Sequence, residues 1–260
     1  MIRGLAYALA LCVWGPAVAA CTVDPASVTA YPDSVVTDRD TRGPVSQAWF
    51  DDPVTRYRHF VLGRSHEPET LWVNALGNQG LCGHALTLDA DHVFEDVAPR
   101  LADLDGDGTN EVIVARSHVA RGAQLAVYRW TGGDLTLAAT TPYIGRRHRW
   151  LAIVGAADFD GDGTMEIAYI DRPHLARTLR IWRYADDTLT ELASATGLTN
   201  HRIGEGHISS GLRDCGSGVD ILTADTNWTR LLATRFDGQG LAARDLGPWS
   251  PQALADALSC

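Results

Sequence analysis

The sequence predicts an all-β fold of about four sheets with four strands each, closed by a short C-terminal helix. Three observations predict it. A unit of about 54 residues recurs along the chain. Each unit holds short runs rich in Val, Ile, Leu and aromatic residues, and Gly, Asp, Asn or Pro bounds these runs, as is typical of strands joined by turns. Helical periodicity is almost absent before the last residues.

The units align on one apolar run, which we expect to be the second strand of each sheet. The run reads HFVLGRSH from His59, EVIVARSH from Glu111 and EIAYIDRPH from Glu166, and DILTADTN from Asp220 keeps its apolar pattern. Expected first strands lie in 45–50, 97–104, 151–159 and 208–212. Third strands are expected to begin at Thr70, Gln124, Thr178 and Arg230, and fourth strands are expected in 85–88, 135–139, 188–192 and 241–245.

Four short strands in each recurring unit are typical of propeller blades, because a blade buries its two faces only against neighbouring blades. We therefore predict a β-propeller of about four four-stranded blades, in a domain that spans residues 44–260. An open stack of sheets is the alternative, although its long end sheets would be exposed. The helix is expected to begin after Ser250, with Ser250 as the N-cap and Pro251 at the first helical position.

Composition and the first residues restrict the class of protein. The chain has 260 residues, is 45% hydrophobic and carries a formal net charge of −10. This composition argues against disorder, and the acidic balance argues against general binding to nucleic acid. Residues 1–20 have the features of a signal peptide, with Arg3 before an apolar segment and small residues at the cleavage site. We expect export to the periplasm or the cell exterior, with residues 21–43 as an N-terminal extension.

The cysteines favour two disulfide bonds. Removal of the signal peptide leaves an even set, Cys21, Cys82, Cys215 and Cys260, in an oxidising compartment. We favour the pairs Cys21 with Cys82 and Cys215 with Cys260, because each would hold one end of the chain, but the other pairings stay open. Residues 18–21 also resemble the lipidation site of bacterial lipoproteins, and a lipid on Cys21 would leave three thiols.

Two acidic loops predict bound calcium. DLDGDGTNE begins at Asp103 and DFDGDGTME at Asp158, and each has carboxylates at positions one, three and five, Gly at six and Glu at nine. Calcium binds six to eight oxygen ligands of this kind; magnesium and bare turns without metal are the alternatives. The predicted ligands of the two sites are Asp103, Asp105, Asp107, Thr109, Glu111, Asp158, Asp160, Asp162, Thr164 and Glu166. Repeats one and four lack the pattern.

With these loops the chain resembles FG-GAP or VCBS-type repeat proteins, which include integrin-like propellers. The resemblance covers about 200 residues and rests on the two acidic loops and the recurring strands. It implies calcium-braced blades. It also implies a role in adhesion, in ligand binding or as a module attached to an enzyme. The chain departs from this family in having fewer repeats than such domains often have, and in having Glu111 and Glu166 as the last acids.

The connections expected at the opposite ends of the strands carry arginine and histidine. Guanidinium groups bind carboxylate, phosphate or sulfate in a bidentate fork, so we predict an anionic ligand on this face. The predicted ligand-binding residues are Arg64, His66, Arg116, His118, Arg147, His148, Arg149, Arg172, His174, His201 and Arg202. In one alternative these side chains pair with neighbouring acids and only fix the spacing of the blades. In the other, His66, His118 and His174 converge on a transition metal.

The sequence assigns no catalytic residue, because the short signatures GxSxG, HExxH, the P-loop and CxxC are absent. We predict an exported, calcium-braced binding module, non-catalytic and monomeric, whose partner is an anionic ligand or an envelope protein. Nucleic acid is not an expected partner, and a membrane is expected only through a lipid on Cys21. The alternatives are a hydrolase or lyase acting on an anionic or carbohydrate substrate, and a purely structural lipoprotein.

Overall fold

The computed structural model describes residues 21–38, 43–78 and 80–260, so the predicted signal peptide lies outside the described residues. Blade 1 consists of β1 (Val36–Thr37), β2 (Val45–Val54), β3 (Glu67–Gly77) and β4 (Gly80–Thr87). Blade 2 consists of β5 (His92–Phe94), β6 (Arg100–Ala102), β7 (Glu111–His118), β8 (Gly122–Trp130) and β9 (Leu135–Thr140).

Blade 3 consists of β10 (Leu151–Ala157), β11 (Glu166–Asp171), β12 (Thr178–Ala185) and β13 (Thr188–Thr196). Blade 4 consists of β14 (Leu198–Thr199), β15 (Gly211–Asp214), β16 (Val219–Asp225), β17 (Arg230–Phe236) and β18 (Leu241–Pro248). Two helices, α1 (Pro25–Val28) and α2 (Pro251–Leu258), and a 3-10 turn (Pro32–Ser34) complete the described elements.

Each blade is an antiparallel sheet whose strands follow one another along the chain. In blades 1 and 3 the orders are β1-β2-β3-β4 and β10-β11-β12-β13. In blade 2, β5 and β6 both pair with β7; in blade 4, β14 and β15 both pair with β16. The first strand is therefore broken in blades 2 and 4. This architecture confirms the predicted four-bladed propeller-like fold.

The core lies between consecutive blades. Phe50 of blade 1 stacks on Phe94 of blade 2, with ring centroids 5.1 Å apart. Ile113 and Ile153 belong to the apolar cluster between blades 2 and 3. A third cluster joins blades 3 and 4. Because strand side chains alternate between the two faces of a sheet, each middle blade contributes one face to each neighbour.

The four blades also surround a common cavity. Each blade region contributes to its lining, which includes Asp33 in the turn before β1, Arg100 of β6, Ile153 of β10 and Ser210 just before β15. Arg100 Nη2 donates a hydrogen bond to the backbone oxygen of Ile153 at 3.2 Å. The first strands therefore lie nearest the central axis, as in a propeller.

Helix α2 covers the exposed face of blade 4, where Leu254 packs with Leu222 and Leu231. The Oγ of Ser250 accepts a hydrogen bond from the backbone nitrogen of Ala253 at 2.9 Å, so the predicted N-cap is confirmed. Within the described part of the chain, no apolar cluster joins the strands of blade 4 to the strands of blade 1; the contact between these blades is made by loops, where Ile208 packs against the cluster that contains Val61 and Leu62. The helix thus supplies apolar contacts that a next blade would otherwise provide.

Both favoured disulfides are present. Cys21 pairs with Cys82 at a Cα–Cα distance of 4.5 Å, and Cys215 pairs with Cys260 at 5.8 Å. The first holds the N-terminal segment against β4, and the second ties Cys260, two residues beyond α2, to the loop between β15 and β16. No helix among the described residues is long and apolar enough to cross a membrane.

The strand prediction in blade 1 was wrong. Residues 45–54 form the second strand instead of the first, and residues 59–66 lie in a long loop between β2 and β3. The apolar pattern of this loop has another cause: Val61 and Leu62 are buried in the cluster between blades 2 and 3. The first strand is the short β1, which falls within the expected N-terminal extension and pairs with β2.

Candidate metal loops and ligand cavity

The acidic loop of blade 2 is folded around Asp103, just before β7. The Asp103 carboxylate accepts hydrogen bonds from the backbone nitrogens of Gly106 at 2.8 Å and Gly108 at 3.0 Å. Both glycines have positive φ, 77° and 86°, a conformation that other residues rarely adopt. Asp107 accepts from the backbone nitrogen of Thr109 at 2.6 Å. The loop therefore needs glycine at these positions to bring its carboxylates together.

Three of the predicted ligands in this loop form one cluster. Carboxylate oxygens of Asp103, Asp105 and Glu111 lie within 4.8 Å of one another. Glu111 is fully buried; one of its oxygens accepts from the backbone nitrogen of Leu104 at 2.9 Å, and Oε1 has no hydrogen-bond partner. Burial, together with the charges of the neighbouring aspartates, raises the pKa of Glu111 to about 7. A buried oxygen that faces other carboxylates without a donor fits a bound cation such as calcium.

The loop of blade 3 repeats this geometry. The Asp158 carboxylate accepts from the backbone nitrogens of Gly161 at 2.8 Å and Gly163 at 2.9 Å. Oxygens of Asp158, Asp160 and Glu166 lie within 4.8 Å of one another. The remaining predicted ligands, Asp162 and Thr164, lie beside this cluster, and Asp162 accepts from the backbone nitrogen of Thr164 at 2.8 Å.

An arginine distinguishes the blade 3 loop. Nη2 of Arg183, on β12, lies 2.6 Å from Glu166, 2.9 Å from Asp160 and 2.8 Å from Asp162. Its Nε donates to Glu166 Oε1 at 2.7 Å. Glu166 Oε1, the counterpart of the unpartnered Glu111 oxygen, therefore already has a donor. The guanidinium group lies among the same carboxylates that would bind a metal.

Blade 4 also has arginine beside the last acid of its repeat. Asp220 of β16 occupies the position of the last acid, and Arg235 donates to it at 2.7 Å. The same guanidinium donates to the backbone oxygens of Ser217 at 2.7 Å and Gly218 at 3.2 Å. Arg213 also pairs with Asp220, at 3.2 Å. Arginine therefore supplies the positive charge beside the last acid in this repeat, which lacks the acidic pattern.

The predicted basic face is at the opposite ends of the second strands, but many of its charges are paired. Arg64 pairs with Glu67 at 2.8 Å, and Arg172 pairs with Asp171 at 2.7 Å. On the same face, Arg116 contacts Tyr128 and Arg147 contacts His148. Arg202 contacts Glu205 and Trp228. The alternative in which these side chains pair with neighbouring acids and fix the spacing of the blades therefore accounts for several of them.

The three histidines at equivalent repeat positions are engaged separately. His66 packs on Tyr31, with ring centroids 5.4 Å apart. His118 Nδ1 accepts from the backbone nitrogen of Ala120 at 2.9 Å. His174 bonds to a different histidine, His201. Over the described ranges, the acidic loops are the groups with metal-ligand spacing, and these histidines form no such group.

Four of the predicted residues do meet in one cavity of about 260 Å³. It lies at the ends of the strands remote from the acidic loops, and Ile203 stands at its rim. Its lining consists of His59, His148, Arg149, Trp150, Arg172, Pro173, His174, Leu175 and Ile203. His201, another predicted residue, is buried next to it. The cavity therefore combines imidazoles, two arginines and an apolar wall.

His174 and His201 form a hydrogen-bonded pair at one side of the cavity. His201 Nε2 lies 2.8 Å from the backbone oxygen of Glu205, and His201 Nδ1 lies 3.0 Å from His174 Nε2. Burial, followed by the charge of His201, lowers the pKa of His174 to about 4. Burial and His59 similarly lower the pKa of His148 to about 4. Both His174 and His148 are therefore neutral at pH 7.

His59 lies at the other side and was not predicted. Its Nδ1 bonds to Glu95, a fully buried carboxylate that also accepts from Ser117 Oγ. The His59 ring stacks on His148 with centroids 4.8 Å apart and an interplanar angle of 3°. The backbone oxygen of Glu95 accepts from Trp150 Nε1 at 2.6 Å. This arrangement fixes the His59 ring and directs Nδ1 away from the cavity.

The breaks in the first strands explain how these groups reach the cavity. The segment between β5 and β6 carries Glu95, and the segment between β14 and β15 carries His201. Backbone strain is found at the same place, because Phe60, His148 and Arg172 have φ values of 60°, 58° and 46°. Strained non-glycine residues often accompany functional sites. The sequence contains one local feature that could have identified Glu95 as a site residue, because two adjacent acids, Glu95 and Asp96, follow an apolar strand.

The comparison with family models identifies one part of the chain. Residues 103–169, from the start of the first acidic loop to β11, match the model of the FG-GAP-like repeat. The chain carries an FG-GAP-like repeat. This finding confirms the resemblance drawn from the acidic loops, and the FG-GAP-like repeat contains both of them up to Glu166.

The other comparisons add less. The search of curated proteins finds no match. A similar solved structure is the crystal structure of a protein from Lactobacillus plantarum, determined by the Northeast Structural Genomics Consortium. It has 15% sequence identity to this chain and a TM-score of 0.44. The alignment covers 83% of this chain and 54% of that one, so the chain spans about half the length of this neighbour.

Proposed function

We propose that the protein is an exported, calcium-braced β-propeller that binds an anionic ligand without catalysing a reaction. The observation that carries the proposal is the cavity lined by His148, Arg149 and His174. It lies on the face opposite the acidic loops, so metal binding and ligand binding use separate ends of the blades.

Calcium is the proposed metal because the donors are carboxylate oxygens in a tight loop. Glu111 carries the argument, since its Oε1 is buried among like charges without a donor. A metal in this loop would satisfy that oxygen and hold β6 and β7 at a fixed angle. Its role in this proposal is structural, because the loop is remote from the cavity.

Export is supported by the two disulfides, which form and persist in oxidising compartments. It is also supported by the signal-peptide features of residues 1–20. Cys21 uses in its disulfide the same sulfur that a lipid would occupy. The periplasm or the cell exterior, with an unlipidated N-terminus, is the proposed location.

The anionic character of the ligand is inferred from Arg149. This arginine lines the cavity, and its guanidinium makes only a weak contact of 3.5 Å, to the backbone oxygen of His148, among the described residues. The neighbouring Arg172 is held by Asp171 and contributes less free charge. An arginine without a carboxylate partner in a concave, largely apolar site is suited to bind one acidic group.

The proposal can be tested by calorimetry of the purified, calcium-loaded protein with phosphate, sulfate, acetate, benzoate and galacturonate. At least one of these anions is expected to bind, and Arg149→Gln is expected to weaken that binding about tenfold, as the loss of one charged hydrogen bond would. Arg146→Gln is the matched control, because Arg146 lies on the same connection but does not line the cavity. Binding that is equal in both variants would contradict the proposed site.

A second function, hydrolase or lyase, is favoured by one specific observation. Glu95 holds His59 at the cavity in the manner of a carboxylate that orients a general base. The test is product release from acidic polysaccharides such as polygalacturonate. Turnover that is lost in His59→Gln but kept in Arg146→Gln would establish catalysis. Absence of turnover on a polysaccharide that binds would support the binding module.

A further inference from the structure

We infer that the cavity selects a carboxylic acid with a single apolar ring that also carries a hydroxyl group. The inference rests on the proposed function, since it takes the cavity on the arginine and histidine face as a ligand site. It adds the chemical class of the ligand, and it stands on the hydrogen-bond order within the cavity, on the apolar wall and on the cavity size.

The hydrogen-bond order fixes which ring nitrogen of His174 is an acceptor. The backbone oxygen of Glu205 can only accept, so His201 Nε2 carries the hydrogen in their 2.8 Å contact. In neutral His201, Nδ1 is then the acceptor, and His174 Nε2 must donate to it across 3.0 Å. Neutral His174 therefore presents Nδ1 as an acceptor without a hydrogen.

This acceptor is suited to a hydroxyl group. His174 lines the cavity, and within the described residues its Nδ1 has no hydrogen-bond donor. The nearby imidazole of His148 is occupied differently, because its Nε2 accepts from Arg147 Nε at 3.0 Å. A ligand that places an O–H group against His174 Nδ1 would gain a hydrogen bond, and an analogue without it would leave a desolvated acceptor unpaired.

The cation and the apolar wall define the rest of the ligand. Arg149 is the guanidinium available to a carboxylate. Pro173, Leu175 and Ile203 form apolar surface, and Leu175 and Ile203 are 60% and 73% exposed, which is high for such side chains. They would be covered by an apolar ring.

The size of the cavity limits the ligand to one ring. Sites for drug-sized molecules usually span about 300–1,000 Å³. The cavity here, about 260 Å³, lies below that range. The Arg149 guanidinium and the His174 Nδ1 acceptor together match a monocarboxylate with a ring hydroxyl.

The test compares matched probes on the full, calcium-loaded protein by isothermal titration calorimetry. The probes are 4-hydroxybenzoate, 3-hydroxybenzoate, benzoate and phenol. We expect at least one hydroxybenzoate to bind about tenfold more tightly than benzoate, since one hydrogen bond to a desolvated acceptor is worth about this much. Phenol, which lacks the carboxylate, is expected to bind more weakly than the better hydroxybenzoate.

The variant His174→Phe keeps an aromatic ring but removes the acceptor. Within this variant the affinities for the better hydroxybenzoate and for benzoate are expected to become equal, a loss of selectivity that simple loss of structure would not produce. His84→Phe is the control, because His84 lies on β4, where it packs on Trp130.

The outcomes separate the inference from the proposal beneath it. Equal affinity for benzoate and both hydroxybenzoates in the unmodified protein would overturn the inference, as would selectivity that survives in His174→Phe. Binding of galacturonate or phosphate without any hydroxybenzoate would also overturn it, while the proposed anion site would stand. Failure of every anion to bind would refute both.

Discussion

The loops of blades 2 and 3 share nearly the same sequence but differ in how their charge is balanced. In blade 2, the pairing of Tyr128 with Val112 places the next residue, Arg129, opposite Glu111. The Arg129 guanidinium nevertheless pairs with Asp187 of blade 3. In blade 3 the corresponding Arg183 is the direct partner of Glu166 and turns into the loop. The first loop therefore has no arginine among its clustered carboxylates, whereas the second already holds one.

In blade 4 the charge of the last acid is balanced by arginine side chains. Arg235 contacts Asp220 and two backbone oxygens of its loop, in place of a metal. From blade 2 to blades 3 and 4, arginine side chains thus take over the charge balance that, under the proposed function, calcium provides in blade 2. Similar acidic motifs therefore need not bind calcium equally, because the residue opposite the last acid decides how much negative charge is left.

The largest expected effect is the loss of calcium-dependent stability in Glu111→Gln. A ligand present at 100 times its dissociation constant adds about 2.7 kcal/mol to the free energy of unfolding. We predict that this variant loses most of the calcium-dependent rise in melting temperature, whereas Glu166→Gln loses much less. Thermal melts with calcium and with chelator measure both. Equal losses in the two variants would remove the distinction between the loops.

Arg235→Gln should destabilise the protein by about 2 kcal/mol, because hydrogen bonds to charged groups are lost and Asp220 keeps only its other arginines. The loss is expected to be the same with and without calcium, since blade 4 keeps only Asp214 where the loops of blades 2 and 3 have three aspartates. Urea unfolding in both conditions measures it. Rescue by calcium would show that the fourth loop still binds metal.

Arg183→Gln should increase the calcium affinity of the blade 3 loop about tenfold, equivalent to 1.4 kcal/mol, because the metal no longer competes with the guanidinium for three carboxylates. Without calcium the same variant is expected to be less stable, since like charges remain uncompensated. Calorimetric titration gives the affinity. An unchanged or lower affinity would mean that the arginine supports the metal site instead of competing with it.

Arg129→Gln is expected to have the smallest effect, below about 1 kcal/mol, because its pair with Asp187 is partly exposed. Calcium affinity at the blade 2 loop should not change. Urea unfolding measures the change in stability, and calorimetric titration measures the calcium affinity. A tenfold change in the tighter calcium affinity would show that Arg129 acts on the loop although it faces the next blade.

Much of the fold could be predicted because each blade repeats one pattern of strands and turns. The acidic loops and the Ser250 cap are local signals, and the structure contains both. The disulfide pairs are not local, but the favoured pairing, in which each bond holds one end of the chain, is the one present. The strands of blade 1 were predicted wrongly because Val61 and Leu62 resemble strand residues. These two side chains are apolar because they pack between blades 2 and 3.

The cavity could be predicted only in part. His148, Arg149, Arg172 and His174 were identified by their position in the repeat, and they do line it. The pairing of His59 with Glu95 joins residues 36 positions apart and depends on a break in the first strand of blade 2. The position of Arg183 in the acidic loop depends on strand register and rotamer. Neither property is present in a local motif.

The account is tested most directly by calorimetric titration of the metal-free protein with calcium, repeated on Glu111→Gln and Arg183→Gln. We predict two binding events in the unmodified protein, the tighter at least about tenfold stronger than the other. The tighter event should be absent from Glu111→Gln, and the weaker should become stronger in Arg183→Gln. A protein that binds no calcium, or a tighter site that survives in Glu111→Gln, would contradict the account.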